Sequence, residues 1–194
     1  MNAQNLLGEI LIVLKSVMND KEKLQKILNF MTQEIYELPD EIEIHEKYKP
    51  LVPKIADSIE AGLICFLNPD TLEVEEVPQE LIDEPEGFEL RHDYALEDYN
   101  LKYTKWKRCI SIEPPSSSES FRNMEAFAET LNDEKIKTKL LHALSRRRPF
   151  ANFKSIVDFS DYRQDWFDFK KKHMEEYVKM HLLTRLDIDG KFVD

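Results

Sequence analysis

Positive charge able to bind an anion is concentrated in residues 142–155, HALSRRRPFANFKS. The surrounding stretch 135–157 contains seven lysine and arginine residues and no acidic residue. Guanidinium groups bind carboxylates and phosphates through two parallel hydrogen bonds. The candidates for binding an anion or a partner are therefore Arg146, Arg147, Arg148 and Lys154.

Two sources of negative charge could satisfy these arginines. Arg146 and Arg147 fall at the end of one predicted helix, where the helix dipole favours cations. Arg148 precedes Pro149, the predicted start of the next helix, whose free N–H groups favour an anion instead. The segment Asp70–Asp98 is an internal source of carboxylates, because it has twelve acidic residues and one arginine. The alternative source is external: a phosphate, a nucleic acid or an acidic partner.

Groups able to hold a metal or to act as a nucleophile do not converge in the sequence. His173 and His181 lack the His-Glu-x-x-His spacing of a zinc site. Cys65 and Cys109 lack a Cys-x-x-Cys spacing and fall in strand-like stretches, which predicts buried or half-buried thiols in a sheet. The chain's four glycines are too scattered for a phosphate-binding loop. We expect no metal, no cofactor and no catalytic residue, with a site assembled from scattered positions as the exception.

The composition is typical of a helix-rich globular protein. The chain has 194 residues, of which 42% are hydrophobic and 34% charged, and its net charge is -11. This length can bury one sizeable core. The apolar run Leu6–Leu14 is too short to span a bilayer and follows no basic region, which predicts a cytoplasmic protein without a membrane segment.

Helical periodicity dominates the first sixty residues. Residues 3–18 predict a helix with an unusually wide apolar face, and a second helix ends at Pro39. These helices form a predicted N-terminal hairpin, residues 1–38, which docks on the core or on a second copy in a homodimer. A third helix is predicted at about 53–61.

Residues 39–194 predict a single α+β domain. Strands at 63–67 and 72–77 flank strong turn residues and form a β-hairpin. A third strand is predicted at 103–112, and residues 78–100 form an acidic loop with at most a short helix. The expected fold is a small antiparallel sheet packed on C-terminal helices, with the N-terminal helical hairpin beside it.

Four helices are predicted after Ser116, which has the spacing of a capping box with Glu119. The last of them begins at Ser160 or Asp161 and is followed by a frayed end, residues 187–194.

Three stretches carry a resemblance to a known family. AGLICFLNPDTLEVEEVP is similar to its strand-turn-strand entry, and ISIEPPSSSESFRNMEAFAETL to its strand, proline and helix passage. LLHALSRRRPFANFKSIV, followed by YRQDWFDFKKKHMEEYV, resembles its small-basic-aromatic signature, with Ser145 or Arg146 replacing the usual glycine. The family is the bacterial uncharacterised protein family 0158, and the likeness extends over 61–183. The resemblance implies no activity.

Together these features predict a non-enzymatic cytoplasmic interaction or regulatory module. One alternative is a nucleic-acid or phosphate-binding protein that uses the basic surface of residues 135–154. The other is an enzyme whose site is assembled from scattered residues. Nucleic acid is the less favoured partner because the net charge is negative.

Overall fold

A computed structural model of the chain describes residues 3–31, 42–92, 100–186 and 190–192. This part of the chain holds nine α-helices and three antiparallel strands, which confirms the α+β prediction. The helices are α1 (Ala3–Ser16), α2 (Lys21–Phe30), α3 (Leu51–Glu60), α4 (Gln79–Asp83), α5 (Pro85–His92), α6 (Ser117–Thr130), α7 (Glu134–Leu144), α8 (Pro149–Asp158) and α9 (Arg163–Leu183). The strands are β1 (Leu63–Leu67), β2 (Val74–Pro78) and β3 (Ile110–Ile112).

The chain divides into two compact units, Met1–Ile42 and Glu43–Asp194. The first contains α1 and α2. Asp20 caps α2 by accepting a hydrogen bond from the backbone N–H of Lys23 at 3.1 Å. The predicted continuation of this helix towards Pro39 lies outside the described residues.

The second unit is built around the sheet, whose strand order is β2-β1-β3. Cys65 of β1 lies opposite Glu76 of β2 on one side and opposite Ile112 of β3 on the other. The predicted hairpin is confirmed. In its turn, the Asn68 side-chain oxygen accepts hydrogen bonds from the backbone N–H groups of Asp70 and Thr71, as asparagine does in such turns.

The predicted third strand is wrong in its length, because only Ile110–Ile112 pairs with β1. Residues 102–105 form a 3-10 helix instead. The carboxylate of Glu75 accepts hydrogen bonds from the backbone N–H groups of Lys102 and Tyr103, at 2.9 and 2.6 Å. These donors are therefore satisfied by a side chain instead of a strand ladder.

The acidic segment is also more ordered than a loop, because α4 and α5 occupy residues 79–92. Leu81 and Phe88 of these helices are buried against Ile64, Phe66 and Val77 on one face of the sheet. Apolar burial thus fixes helices in a stretch whose charge predicts a solvated loop.

The C-terminal helices agree with the local signals, with two corrections at the end of the chain. Ser116 and Glu119 form the predicted capping box of α6. The last helix begins at Arg163 and not at Ser160 or Asp161. The end of the chain is held at residues 190–192, where the Tyr48 hydroxyl donates to the Gly190 carbonyl at 3.0 Å; residues 187–189 and 193–194 lie outside the description.

The long helix α9 connects two hydrophobic clusters of the second unit. Met174, Val178 and Leu182 pack with α3 and the sheet. Nearer the start of the helix, Trp166 and Phe169 pack with α6, α7 and α8. A cleft lies on α9 between these two clusters.

Candidate binding cleft

The floor of the cleft rests on an aromatic cluster centred on Phe127 of α6. Its ring centroid lies 5.1 Å from that of Trp166 and 6.3 Å from that of Phe153, both with edge-to-face geometry. Phe153 and Trp166 are themselves 5.0 Å apart. Such contacts hold the rings in fixed orientations, so Phe153 and Trp166 present fixed surfaces to the cleft.

The cleft has a volume of about 550 Å³ and lies between α3, α6, α8, α9 and the segment after β3. Its apolar lining consists of Ile59, Pro114, Pro115, Met124, Phe150, Phe153, Trp166, Phe167 and Met174. Phe150 and Phe167 expose 42% and 39% of their surface. The guanidinium of Arg163 covers one face of the Phe167 ring at 4.8 Å, and the remaining exposed surface of the two rings is available for contact with a ligand.

Four charged side chains line the cleft, and three of them are already paired. Lys170 contacts Glu60 at 2.7 Å, and Asp158 contacts Arg163 at 3.5 Å. Lys154 lies within 4 Å of no carboxylate in the described parts of the chain. Lys154 is thus the charged side chain of this lining that forms no ion pair within 4 Å, since Asp158, one turn further along α8, pairs with Arg163.

Two uncharged polar side chains of α6 also line the cleft. Ser120 and Asn123 lie three residues apart, on one face of the helix. Their side chains form no hydrogen bond within the described structure. They can therefore donate to or accept from a bound molecule.

The structure separates the predicted site residues. Lys154 lines the cleft, whereas Arg146, Arg147 and Arg148 lie in the exposed connection between α7 and α8 and are not part of its lining. Arg148 adopts a left-handed backbone conformation with φ 61° and gives α8 no side-chain cap.

The segment Asp70–Asp98 was the predicted internal source of carboxylates, and several of its acidic side chains pair with other bases. None of the three arginines lies within 4 Å of a carboxylate among the described residues, although Asp93, Glu97 and Asp98 lie outside them. Acidic side chains of residues 70–89 instead form ion pairs with Lys54, Arg91, Lys102 and Arg108. The described geometry therefore gives the arginines no internal partner.

The two histidines of α9 contact carbonyl oxygens one turn earlier in the same helix. The Nδ1 atoms of His173 and His181 lie 3.2 and 3.0 Å from the carbonyl oxygens of Phe169 and Tyr177. His173 also stacks on the ring of Phe169 at 4.0 Å. Across the described ranges, no group of three His, Cys, Asp or Glu side chains could hold a metal ion.

Burial affects three groups that could otherwise act as nucleophiles or acids. It raises the pKa of the Cys65 thiol to about 11 and that of the Tyr177 phenol to about 12. It also raises the pKa of the Cys109 thiol. All three groups stay protonated near neutral pH, which lowers the reactivity of the thiols.

Sequence reasoning identified Lys154 but missed the rest of the cleft. Glu60 and Lys170 are separated by 110 residues, so their pairing leaves no local signal. The sequence showed Pro114 and Pro115 only as the end of a strand, and it showed the aromatic residues of α9 only as an apolar stripe.

Among the described residues, no helix combines the length and the apolar composition that crossing a membrane requires.

Comparison with known proteins gives two matches. The profile of the Uncharacterised protein family (UPF0158) matches residues 81–189. This range includes α6, α8 and α9 but not the α3 wall of the cleft or the hairpin stretch 61–78. A UPF0158 protein of Pseudomonas aeruginosa is 28% identical over 73 residues, which is 37% of this chain and 48% of that protein. The chain thus spans about half the length of this relative, and no solved structure matches.

Proposed function

The chain belongs to the Uncharacterised protein family (UPF0158), and from its cleft we propose a non-enzymatic interaction module that binds an apolar, carboxylate-bearing segment of a partner protein. The observation that carries this proposal is the unpaired ammonium of Lys154 beside the exposed rings of Phe150 and Phe167. Protein interfaces place aromatic anchors next to a few directed polar groups. The cleft combines both.

A peptide segment fits this cleft better than an isolated carboxylic acid. The volume of the cleft, about 550 Å³, accommodates more than one side chain. Ser120 and Asn123 offer hydrogen bonds at a spacing of one helical turn, which suits the peptide groups of an extended segment. Lys154 supplies the charge that a glutamate or aspartate of the partner would neutralise.

Selection of a displayed random peptide library on the full chain tests this proposal. We expect the enriched peptides to combine an aromatic or aliphatic residue with Asp or Glu. Lys154→Gln should weaken them about fivefold, as expected for one partly exposed charge pair of about 1 kcal/mol. Phe150→Ala should weaken them further because it removes an exposed anchor.

Lys171→Gln is the matched control, because it removes one exposed lysine of α9 that does not line the cleft. Its affinity for the selected peptides should stay within twofold of the parent. The proposal fails if no peptide is enriched, or if Lys154→Gln and Lys171→Gln have the same effect.

We further infer that residues 1–38 are a self-association hairpin attached to one α+β domain, residues 39–194. Support comes from the large apolar side chains that α1, α2 and their flanking residues expose: Leu6, Leu7, Ile10, Leu11, Ile12, Val13, Met18, Leu28, Phe30 and Met31. The six of these residues that lie on α1, from Leu6 to Val13, cover a broad arc of the helix, as in helices with two neighbours. The occupant we propose is a second copy of the hairpin.

Light scattering on the full chain tests the self-association. The double change Leu7→Glu with Ile10→Glu should convert a dimer to a monomer, because it places charge on the apolar arc of both copies. Glu9→Gln, on the polar face of α1, is the control. A parent protein that is monomeric at all concentrations contradicts the inference.

A cytoplasmic location is part of the same proposal. Its support is that Cys65 and Cys109 are both free thiols, which suits a reducing compartment.

A further inference from the structure

A stripe of basic side chains runs along one face of α7. Lys135, Lys139, His142 and Arg146 follow one another at intervals of four, three and four residues, which places them on one side of the helix and its C-terminal turn. All four are exposed. We call these four residues the basic stripe.

The helix that carries the basic stripe is firmly held. Leu140, Ala143 and Leu144 on its other side are buried. At its start, the Asp133 carboxylate accepts hydrogen bonds from the backbone N–H groups of Lys135 and Ile136, at 2.9 and 3.2 Å. The stripe is therefore a fixed surface with only its side chains free to adjust.

The charges of the basic stripe are not neutralised within the described structure. None of the basic side-chain nitrogens of its four residues lies within 4 Å of a carboxylate oxygen there. Lys137, which points away from the stripe on the same helix, does pair with Glu129, at 2.5 Å. The exposed Arg147 and Arg148 continue the positive charge beyond Arg146.

The side chains on this face of α7 favour a nucleic acid over a protein as the partner. In the described chain, none of the exposed large hydrophobic side chains belongs to α7. Protein partners derive most of their binding energy from aromatic and apolar anchors, whereas a nucleic-acid backbone is bound by charge alone. We infer that the basic stripe binds the phosphate backbone of a nucleic acid, independently of base sequence.

The net charge of -11 does not oppose this contact directly. All of the excess negative charge lies in the segment Asp70–Asp98, and exposed charges are screened over about 8 Å at physiological ionic strength. Several of these carboxylates are also paired with bases. A local surface of positive charge can therefore bind phosphates, with an affinity that falls steeply as salt is added.

Fluorescence anisotropy with labelled oligo(dT), and separately with a mixed-sequence DNA duplex, tests the inference. Three phosphate contacts, from Lys135, Lys139 and Arg146, predict a log–log salt slope of about 2 for the single strand. Affinity should then fall about 20-fold between about 50 and about 200 mM salt. The double change Lys135→Gln with Lys139→Gln should lower the slope by about 1.4 and the affinity about tenfold or more at about 0.1 M salt.

The matched control is Lys171→Gln with Lys172→Gln on α9, which changes the net charge by the same amount. It should keep the parental slope and stay within twofold in affinity, and thermal melts should show both double variants folded. The inference is overturned if the parent protein binds neither probe at low salt, or if both double variants lose affinity equally. It is also overturned if labelled polyglutamate of equal charge binds as tightly as oligo(dT), since the surface would then suit an acidic protein.

Discussion

The Nζ atom of Lys170 lies 2.7 Å from a carboxylate oxygen of Glu60, so a single ion pair joins α9 to α3 at the wall of the cleft. The two side chains expose 33% and 35% of their surface. This pairing neutralises two of the charges that line the cleft. Because Asp158 is paired with Arg163, Lys154 is the remaining charge of the lining, and the peptide-binding proposal depends on it.

A double-mutant cycle on this pair should give a modest coupling. We expect Lys170→Met and Glu60→Gln to have a coupling energy of about 0.5–1 kcal/mol, because the pair is partly exposed and therefore screened. Urea unfolding at low and high salt measures it, with the coupling decreasing as salt is added. The reference is the Lys172 and Glu176 pair within α9, for which we expect a coupling energy of about 0.3–0.5 kcal/mol. A coupling energy for Lys170 and Glu60 no larger than this would show that pairing between two helices adds no stability beyond that of a pair within one helix.

Truncation of Phe127 should be severely destabilising. The residue is 2% exposed and its ring contacts those of Phe153, Trp166 and Phe169. We expect Phe127→Ala to lower the free energy of unfolding by about 3–5 kcal/mol through lost burial and a cavity. Phe159→Ala removes a ring that is 92% exposed and should change stability by less than about 0.5 kcal/mol. Similar losses for both variants in urea unfolding would contradict the assignment of this core.

Glycine should cost less stability at position 148 than at position 147. Arg148 has φ 61°, a conformation that costs a non-glycine residue roughly 1–2 kcal/mol. Arg148→Gly relieves this strain and offsets the greater entropy of the unfolded chain. We expect its stability to equal or exceed that of the parent.

The control for this change is Arg147→Gly, because Arg147 has no positive φ. It should lose about 0.5–1 kcal/mol, the usual cost of an unneeded glycine. Thermal melts compare the two variants, and a larger loss for Arg148→Gly would be inconsistent with the left-handed backbone at that position.

Stability should fall at alkaline pH, in part because of Tyr177. Burial, with Glu119 and Glu113 nearby, raises the pKa of its phenol to about 12 in the folded protein, above an ordinary value of about 10. The free energy of unfolding that this raised pKa contributes is therefore fully present below about pH 10 and is lost as the pH rises towards about 12. The raised pKa of Cys65, about 11, acts in the same direction.

Tyr177→Phe should flatten this pH dependence. The variant loses the hydrogen bond from the hydroxyl to the Glu113 carbonyl and so about 1 kcal/mol near neutral pH. Between about pH 10 and 12, however, its free energy of unfolding should fall less steeply than that of the parent. Parallel curves for the two proteins in urea unfolding would show that Tyr177 does not titrate differently in the folded state.

The errors in sequence-based prediction arose where a distant side chain replaced a local partner. The alternation of residues 103–112 favours a strand, but Glu75 on β2 takes the backbone donors of Lys102 and Tyr103. The acidic composition of residues 79–92 favours a loop, but Leu81 and Phe88 are buried against the sheet. Glu75 is 27 residues from Lys102, and Leu81 and Phe88 pack on Ile64 and Phe66 of β1 as well as on the nearby Val77, so periodicity and composition could not reveal these contacts.

The sequence by itself determined the elements whose signals are local. Asn68 specifies the hairpin turn, Ser116 with Glu119 caps α6, and Pro149 begins α8, because each acts on backbone groups within four residues. Only the tertiary structure decided which charges remain unpaired. Lys170 meets Glu60 across 110 residues of sequence, because the packing of α9 on α3 brings their side chains together. Lys154 has Asp158 one turn further along α8, but the carboxylate of Asp158 is paired with Arg163, the first residue of α9.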